Sequence, residues 1–217
     1  MLGQSITKNS LILGAFAAAT AAVIALTFQS TKTRIAAEER KAASAALIDM
    51  IPATRHDNDM LADTLTLSLK DSQSLGFNTA VDINIARLNN TPIAFVIPGI
   101  AHDGYSGDIK LIVAINTDGT LAGARVLAHK ETPGLGDKID LRKSQWIHSF
   151  DGTSLYNPIV SQWAVKKDGG HFDQFTGATI TPRAVVNRVK NTLDFFTQNQ
   201  AQWLKAAQKN KTAGANP

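Results

Sequence analysis

From Leu11 to Phe28 the chain carries no Asp, Glu, Lys or Arg, and it is dominated by Leu, Ile, Ala, Val and Phe. A run of this kind restricts the fold more than any other feature, because it either crosses a bilayer or is cut away as a secretory leader. A spanning helix needs about 20 predominantly apolar residues. The run and its uncharged flanks supply them, between Lys8 on one side and Lys32 and Arg34 on the other. A buried soluble helix carries a polar stripe, and here the only polar side chains are small threonines, Thr20 and Thr27. A cleaved leader is the competing reading. However, the segment before the run holds a single Lys, and the run ends in Phe28-Gln29-Ser30-Thr31-Lys32, not at a small-x-small cleavage site. Residues 1–32 are therefore expected to be a short tail and an uncleaved membrane anchor. Lys32, Arg34, Arg40 and Lys41 outnumber Lys8, which by charge counting puts the downstream side in the cytoplasm.

The rest of the chain reads as one α+β domain. Residues 33–52 have good helix formers up to Ile51-Pro52 and are expected to continue from the anchor as a membrane-proximal helix. Residues 64–69 and 81–87 alternate and predict half-exposed strands. Residues 92–97 are an apolar strand closed by Pro98-Gly99. Residues 108–116 and 120–129 flank Asn116-Thr117-Asp118-Gly119, a strong hairpin signal. A short helix is expected over 142–150. Residues 182–203 form an amphipathic helix with Val185, Val189, Leu193 and Phe196 on one face. The domain is expected over 53–206, an antiparallel sheet with flanking helices, followed by a flexible polar tail over 207–217.

Composition excludes several classes. The 217 residues contain no cysteine, which removes disulfides, thiolate nucleophiles, iron–sulfur ligation and zinc–thiolate sites. The net charge of +4 is spread along the chain, without the dense basic face of a nucleic-acid binder.

Three glycine-containing loops carry the chemistry. Asp103-Gly104-Tyr105-Ser106-Gly107 precedes a strand and alone reads as a tight turn. In His129-Lys130-Glu131-Thr132-Pro133-Gly134-Leu135-Gly136, Pro-Gly presets a type II turn and the next glycine admits close backbone approach. His129 and Glu131 suit acid–base or metal chemistry, but no second His lies at ligand spacing, so no metal is expected. In Asp173-Gln174-Phe175-Thr176-Gly177-Ala178-Thr179-Ile180-Thr181-Pro182, Thr181 reads as the N-cap of the last helix and Pro182 as its first residue. Thr179 is then delivered to a helix N-terminus, where free N–H groups and the dipole favour a phosphate. A plain capped helix fits the same residues. There is no Ser/His/Asp arrangement, P-loop or dinucleotide fingerprint.

Asp173-x-x-Thr176-Gly177-Ala178-Thr179 resembles the flavinylation motif of the FMN-binding domain family, which includes the G subunit of the Rnf (also called Rsx) electron-transport complex and the C subunit of the sodium-pumping NADH:quinone reductase. Gly104-Tyr-Ser-Gly107 and Glu131-Thr-Pro-Gly-Leu-Gly136 match two further motifs of that family in the same order. The stretch from Trp163 through Gly170 and on to Arg183 is similar to the G subunit in particular. The resemblance covers essentially the whole chain. It implies covalent FMN, attached by a flavin transferase through a phosphoester to Thr179, with Asp173 and residues 176–178 read by the transferase. Thr176, Gly177, Ala178, Glu131, Thr132, Leu135 and Gly136 are the implied flavin contacts. It also implies an electron relay with no catalytic residue of its own, other Rnf/Rsx subunits as partners, coupling to ion movement, and a domain on the periplasmic side of the inner membrane. That placement opposes the charge count, which rests on one short tail. The rival readings are the C subunit of the quinone reductase, a membrane-anchored docking module without a redox role, and a free-standing flavin reductase.

Overall fold

The computed structural model describes the backbone of residues 2–213 and, within that span, all side chains except those of residues 2–6, 36, 39, 40, 42, 43 and 210–213. The chain divides into two units, residues 1–43 and 44–217.

Helix α1 spans Leu2–Met50. No Gly or Pro lies between Gly14 and Pro52, so nothing interrupts it at the boundary expected after residue 32. Its segment Thr7–Ile35 is long and apolar enough to cross a membrane. The two threonines within its apolar run bond inside the helix. Thr20 Oγ1 donates to the Phe16 carbonyl at 2.6 Å and Thr27 Oγ1 to that of Val23 at 2.8 Å. Internal satisfaction of this kind is what a hydrocarbon environment demands.

The second unit is built on a five-stranded antiparallel meander, β1 (Thr64–Thr66), β2 (Asp82–Leu88), β3 (Thr91–Ala101), β4 (Ile109–Asn116) and β5 (Leu121–Ala128), in sequential spatial order. Short turns set the register. Asn89 and Asn90 both adopt positive φ, 49° and 71°, in the two-residue β2–β3 turn, a primed turn whose Asn-Asn signal went unread in the sequence. The β4–β5 turn is the one expected at Asn116–Gly119, with Asn116 N–H donating to the Thr120 carbonyl at 2.8 Å and Gly119 at φ 85°.

Both faces of the sheet are covered over its central strands, so the half-exposed reading of residues 81–87 is corrected, whereas β1 at the sheet edge is half-exposed as expected. Helix α3 (Ile180–Ala213) lies on one face, where Val185, Val189, Leu193 and Phe196 join Phe95, Ile97, Leu111, Val113 and Ile115 in the larger core. On the other face Leu47, Met50, Ile51 and Met60 pack on Ala86, Ala94, Val96, Ile112 and Ala114. A strand buried on both faces loses its alternation, which is why β3 and β4 read as apolar runs. Even Arg87 is buried, at 5% exposure. Its guanidinium pairs with Asp63 at 2.6 Å and donates to the Ala207 carbonyl at 3.0 Å.

Other boundaries move for identifiable reasons. Strand β3 does not close at Pro98-Gly99 but continues to Ala101. Ile100 N–H donates to the Leu75 carbonyl, and Pro98, two residues earlier, turns its nitrogen to that same side, away from β4. The β2–β3 pairing stops at Asn84 and Val96, so no ladder bond is lost. The strand expected over 64–69 stops at Thr66, because Ser68 Oγ accepts from Asp71 N–H and caps a short helix, α2 (Leu69–Ser74). The helix expected over 142–150 is a 3₁₀ segment, Gln145–Phe150, capped by Ser144. Helix α3 passes its expected end at residue 203 and the expected domain end at 206, and Ala207 is fully buried. Residues 214–217 of the expected tail lie outside the described residues.

Candidate functional site

The three glycine loops converge. Tyr105, Glu131, Thr132, Leu135, Gly136, Gly177, Ala178, Thr179, Ile180 and Thr181 line one cleft of ≈ 330 Å³. Two turns of the same design form its walls. Residues 132–135 turn through Pro133 and Gly134 (φ 77°), with the Leu135 and Gly136 N–H groups both 3.1 Å from the Thr132 carbonyl. Residues 175–178 turn through Gly177 (φ 80°), with Ala178 N–H 3.1 Å from the Phe175 carbonyl. The turns meet where a Cβ on Gly177 would lie 3.5 Å from Leu135 Cδ2. Positive φ at both glycines is the strained choice for any other residue.

Helix α3 begins at Ile180, and the Thr179 carbonyl accepts from Arg183 N–H at 3.3 Å. Thr179 is therefore the N-cap, and the assignment of that position to Thr181, with Pro182 first in the helix, is corrected. Pro182 is the third helical residue. A capping hydroxyl accepts from the N–H of the second or third helical residue, and Pro182 has none to give. Among the described residues no hydrogen bond is made to the Thr179 hydroxyl, which stays available at the helix N-terminus. The free N–H groups and positive dipole end of α3 favour an oxyanion there. Tyr105 (69% exposed), Leu135 and Ile180 leave an apolar rim open to solvent, a surface suited to a flat ring system.

Glu131 closes the back of the cleft at 4% exposure. Ser106 N–H donates to its Oε1 at 2.9 Å, and the Thr181 hydroxyl donates to its Oε2. Its own N–H donates to His129 Nδ1 at 3.1 Å, which puts the ring proton on Nε2, 4.0 Å from Asp140. The Arg142 guanidinium beside Asp140 holds that carboxyl below the usual carboxylate range. His129 is thus structurally engaged, and no group of three or more metal-ligating side chains occurs among the described residues.

The remaining site residues named from the sequence lie outside the lining. Thr176 is exposed at the tip of its turn. Asp173 sits on the surface, paired with Lys166 at 2.6 Å, and its carbonyl accepts from Trp146 Nε1 at 2.8 Å. Tyr105, Ile180 and Thr181 line the cleft without having been singled out as contacts. Tyr105 could have been found, since it stands inside the Gly104–Gly107 motif.

At the foot of the 103–107 loop both ring nitrogens of His102 face acceptors, Asp108 Oδ1 at 2.8 Å and the Gly76 carbonyl at 3.0 Å. Only the imidazolium satisfies both, and the Asp108 hydrogen bond raises the pKa above the ordinary 6.5. The folded state thus holds the proton more tightly than the unfolded chain. The stabilisation is complete below pH 6.5 and is lost as pH rises through the elevated folded value. Denaturation midpoints should fall modestly across that window, as expected of a surface pair. His102→Gln should remove this part of the pH slope.

Comparison with known proteins supplies the family. Residues 104–194 match the FMN-binding domain model and residues 1–49 match the RnfG N-terminal region. The chain is 49% identical over 201 residues to the G subunit of the ion-translocating oxidoreductase complex of Vibrio vulnificus, covering 93% of this chain and 94% of that one. It is 46% identical to the protein of the same name from Shewanella oneidensis (93% and 94% covered) and 46% identical to that from Pseudomonas aeruginosa (93% of each). The chain belongs to the G-subunit family of ion-translocating oxidoreductase complexes. The FMN-binding domain match begins at Gly104 and ends inside α3, so it encloses all three loops of the cleft. These relatives are named as the G subunit, not as the C subunit of a quinone reductase, which decides between the two expected subunits.

Proposed function

We propose that this chain is the membrane-anchored electron relay of an ion-translocating oxidoreductase complex, with FMN held covalently on Thr179. One observation carries the reading. The Thr179 hydroxyl, unpartnered among the described residues, stands at the N-terminus of α3 and on the wall of the one cleft that the three motif loops build together. A flavin transferase attaches the group. The Thr179 oxygen forms a bond to the flavin-side phosphorus of FAD, the pyrophosphate P–O bond breaks, AMP departs and the hydroxyl proton is released. Asp173, exposed and away from the cleft, is the residue the transferase reads.

The residues present fit the group. The first turn of α3 meets the phosphate, Gly177 and Gly136 allow close approach, and Tyr105, Leu135 and Ile180 offer apolar surface to the ring. Thr176, Ala178, Glu131 and Thr132 complete the surroundings. When bound, the flavin ring supplies the one- and two-electron chemistry, and the protein supplies position and electrostatic environment. A covalent tether fixes the cofactor without a binding equilibrium and leaves the ring accessible to partner subunits. Helix α1 crosses the inner membrane once and the domain faces the periplasm, with neighbouring subunits holding that orientation.

The test is the intact mass of the full chain co-expressed with its transferase. A gain of one FMN phosphoryl group, mapped to the peptide containing residues 173–183, is expected. An unmodified protein would leave only a docking module. A domain that oxidised NADH by itself would instead be an independent reductase.

A further inference from the structure

We infer that Glu131 is the positioning residue of the cleft, setting the place of Thr179 through the Thr181 hydroxyl and the Ser106 N–H; this rests on Thr179 being the attachment point. The carboxylate is the only side chain that hydrogen-bonds both of the other motif loops among the described residues. Oε1 takes the Ser106 N–H of the β3–β4 loop, and Oε2 takes the hydroxyl of Thr181, two residues from Thr179 in the first turn of α3. The space around it is fitted to it. A Cβ on Gly136 would lie 2.7 Å from Thr181 Oγ1 and 3.0 Å from Glu131 Oε2, and one on Gly104 would lie 3.0 Å from Glu131 Oε1. Gly136 is therefore required by the Glu131–Thr181 pair as well as by any ligand, while a Cβ on Gly104 would meet the Gly107 carbonyl first, at 2.3 Å. Glu131 is 4% and Thr181 1% exposed, so water does not compete for the bond, and each partner left alone would be a buried unsatisfied group.

The hydroxyl of Thr181 does not cap α3. It ties the first turn of the helix to the far wall of the cleft, and the residue that α3 carries at its very start is Thr179. An acceptor oxygen displaced by a fraction of an ångström is a poor nucleophile for an otherwise productive complex. The loss should therefore appear in the rate of attachment at saturating acceptor protein. The half-saturating concentration should hold, because the transferase reads the exposed Asp173 and not this buried pair.

The experiment uses full-length apoprotein made without transferase, purified in detergent and incubated with transferase and FAD, with the mass gain followed in time. Thr181→Val, which keeps shape and removes the hydroxyl, and Glu131→Ala should each slow attachment about tenfold or more. The double variant should be no slower than Glu131→Ala, since both remove one bond. Thr181→Ser and Glu131→Gln, which retain a hydroxyl and an acceptor, should stay within about threefold of the wild type, against the tenfold or greater losses expected on misplacement. Thermal melting of each apoprotein separates slow attachment from unfolding, and Thr181→Val guards against a Glu131→Ala that does not fold. Attachment at the wild-type rate in folded Thr181→Val, or additive losses in the double variant, overturns the positioning role alone. A wild type that gains no mass overturns the attachment reading and this role with it.

Discussion

Thr179→Ala should give a folded protein in which no flavin survives denaturation. The hydroxyl caps nothing, because the third helical residue is Pro182 and no hydrogen bond reaches the side chain among the described residues. Its removal should therefore cost less than the ~1 kcal/mol typical of a lost N-cap. Attachment, in contrast, should fall to nothing, since alanine offers the transferase no oxygen. In-gel flavin fluorescence and intact mass read the loss, and urea denaturation reads the fold. Flavin retained covalently by the variant would move the attachment to another residue, with Thr176 and Thr181 the nearest hydroxyls in sequence.

Phe150→Ala should produce a large loss of stability, about 3–5 kcal/mol, the usual cost of emptying a fully buried aromatic position. Phe150 is fully buried at the centre of an aromatic cluster. Ring centroids lie 4.6 Å away at Phe172, 5.4 Å at Trp146 and 6.2 Å at Trp163. The cluster supports the attachment loop from below. Trp146 packs edge-on against Phe175 at 5.1 Å, and its Nε1 donates to the Asp173 carbonyl. Phe172 directly precedes Asp173, and Phe175 opens the turn that leads to Thr179. The same variant should therefore slow flavin attachment although it touches no part of the cleft. Phe150→Leu, which keeps more of the volume, should recover most of both losses. A cost below about 1 kcal/mol in urea denaturation would show that the cluster can collapse around the void, contrary to the expectation for a close-packed core.

Much of this protein is local, and local features can be read from a sequence. The apolar N-terminal helix rests on composition and length, the β4–β5 hairpin on a four-residue turn, and the lower part of α3 on the spacing of Val185, Val189, Leu193 and Phe196. Each depends on neighbours a few residues away. The turn at Pro133-Gly134 also declared itself, because a backbone conformation open mainly to glycine leaves a mark in the chain.

What the residues could not disclose is which surfaces would be covered from outside. Strands β3 and β4 lost their alternation because α3 covers one face and the end of α1 the other. Arg87 went inward because Asp63 and the Ala207 carbonyl, distant in sequence, waited for it. Pro98 could sit within a strand because the pairing with β2 had already stopped on that side. Thr181 was assigned as a cap on local grounds, whereas its hydroxyl is claimed by Glu131, 50 residues away. By itself the sequence determined the long apolar N-terminal helix, the amphipathic last helix, the β4–β5 turn and the motif that presents Thr179. Only the folded chain decided that three loops spread over some 80 residues share one cleft, because that depends on long-range burial and hydrogen bonding, which no local pattern encodes.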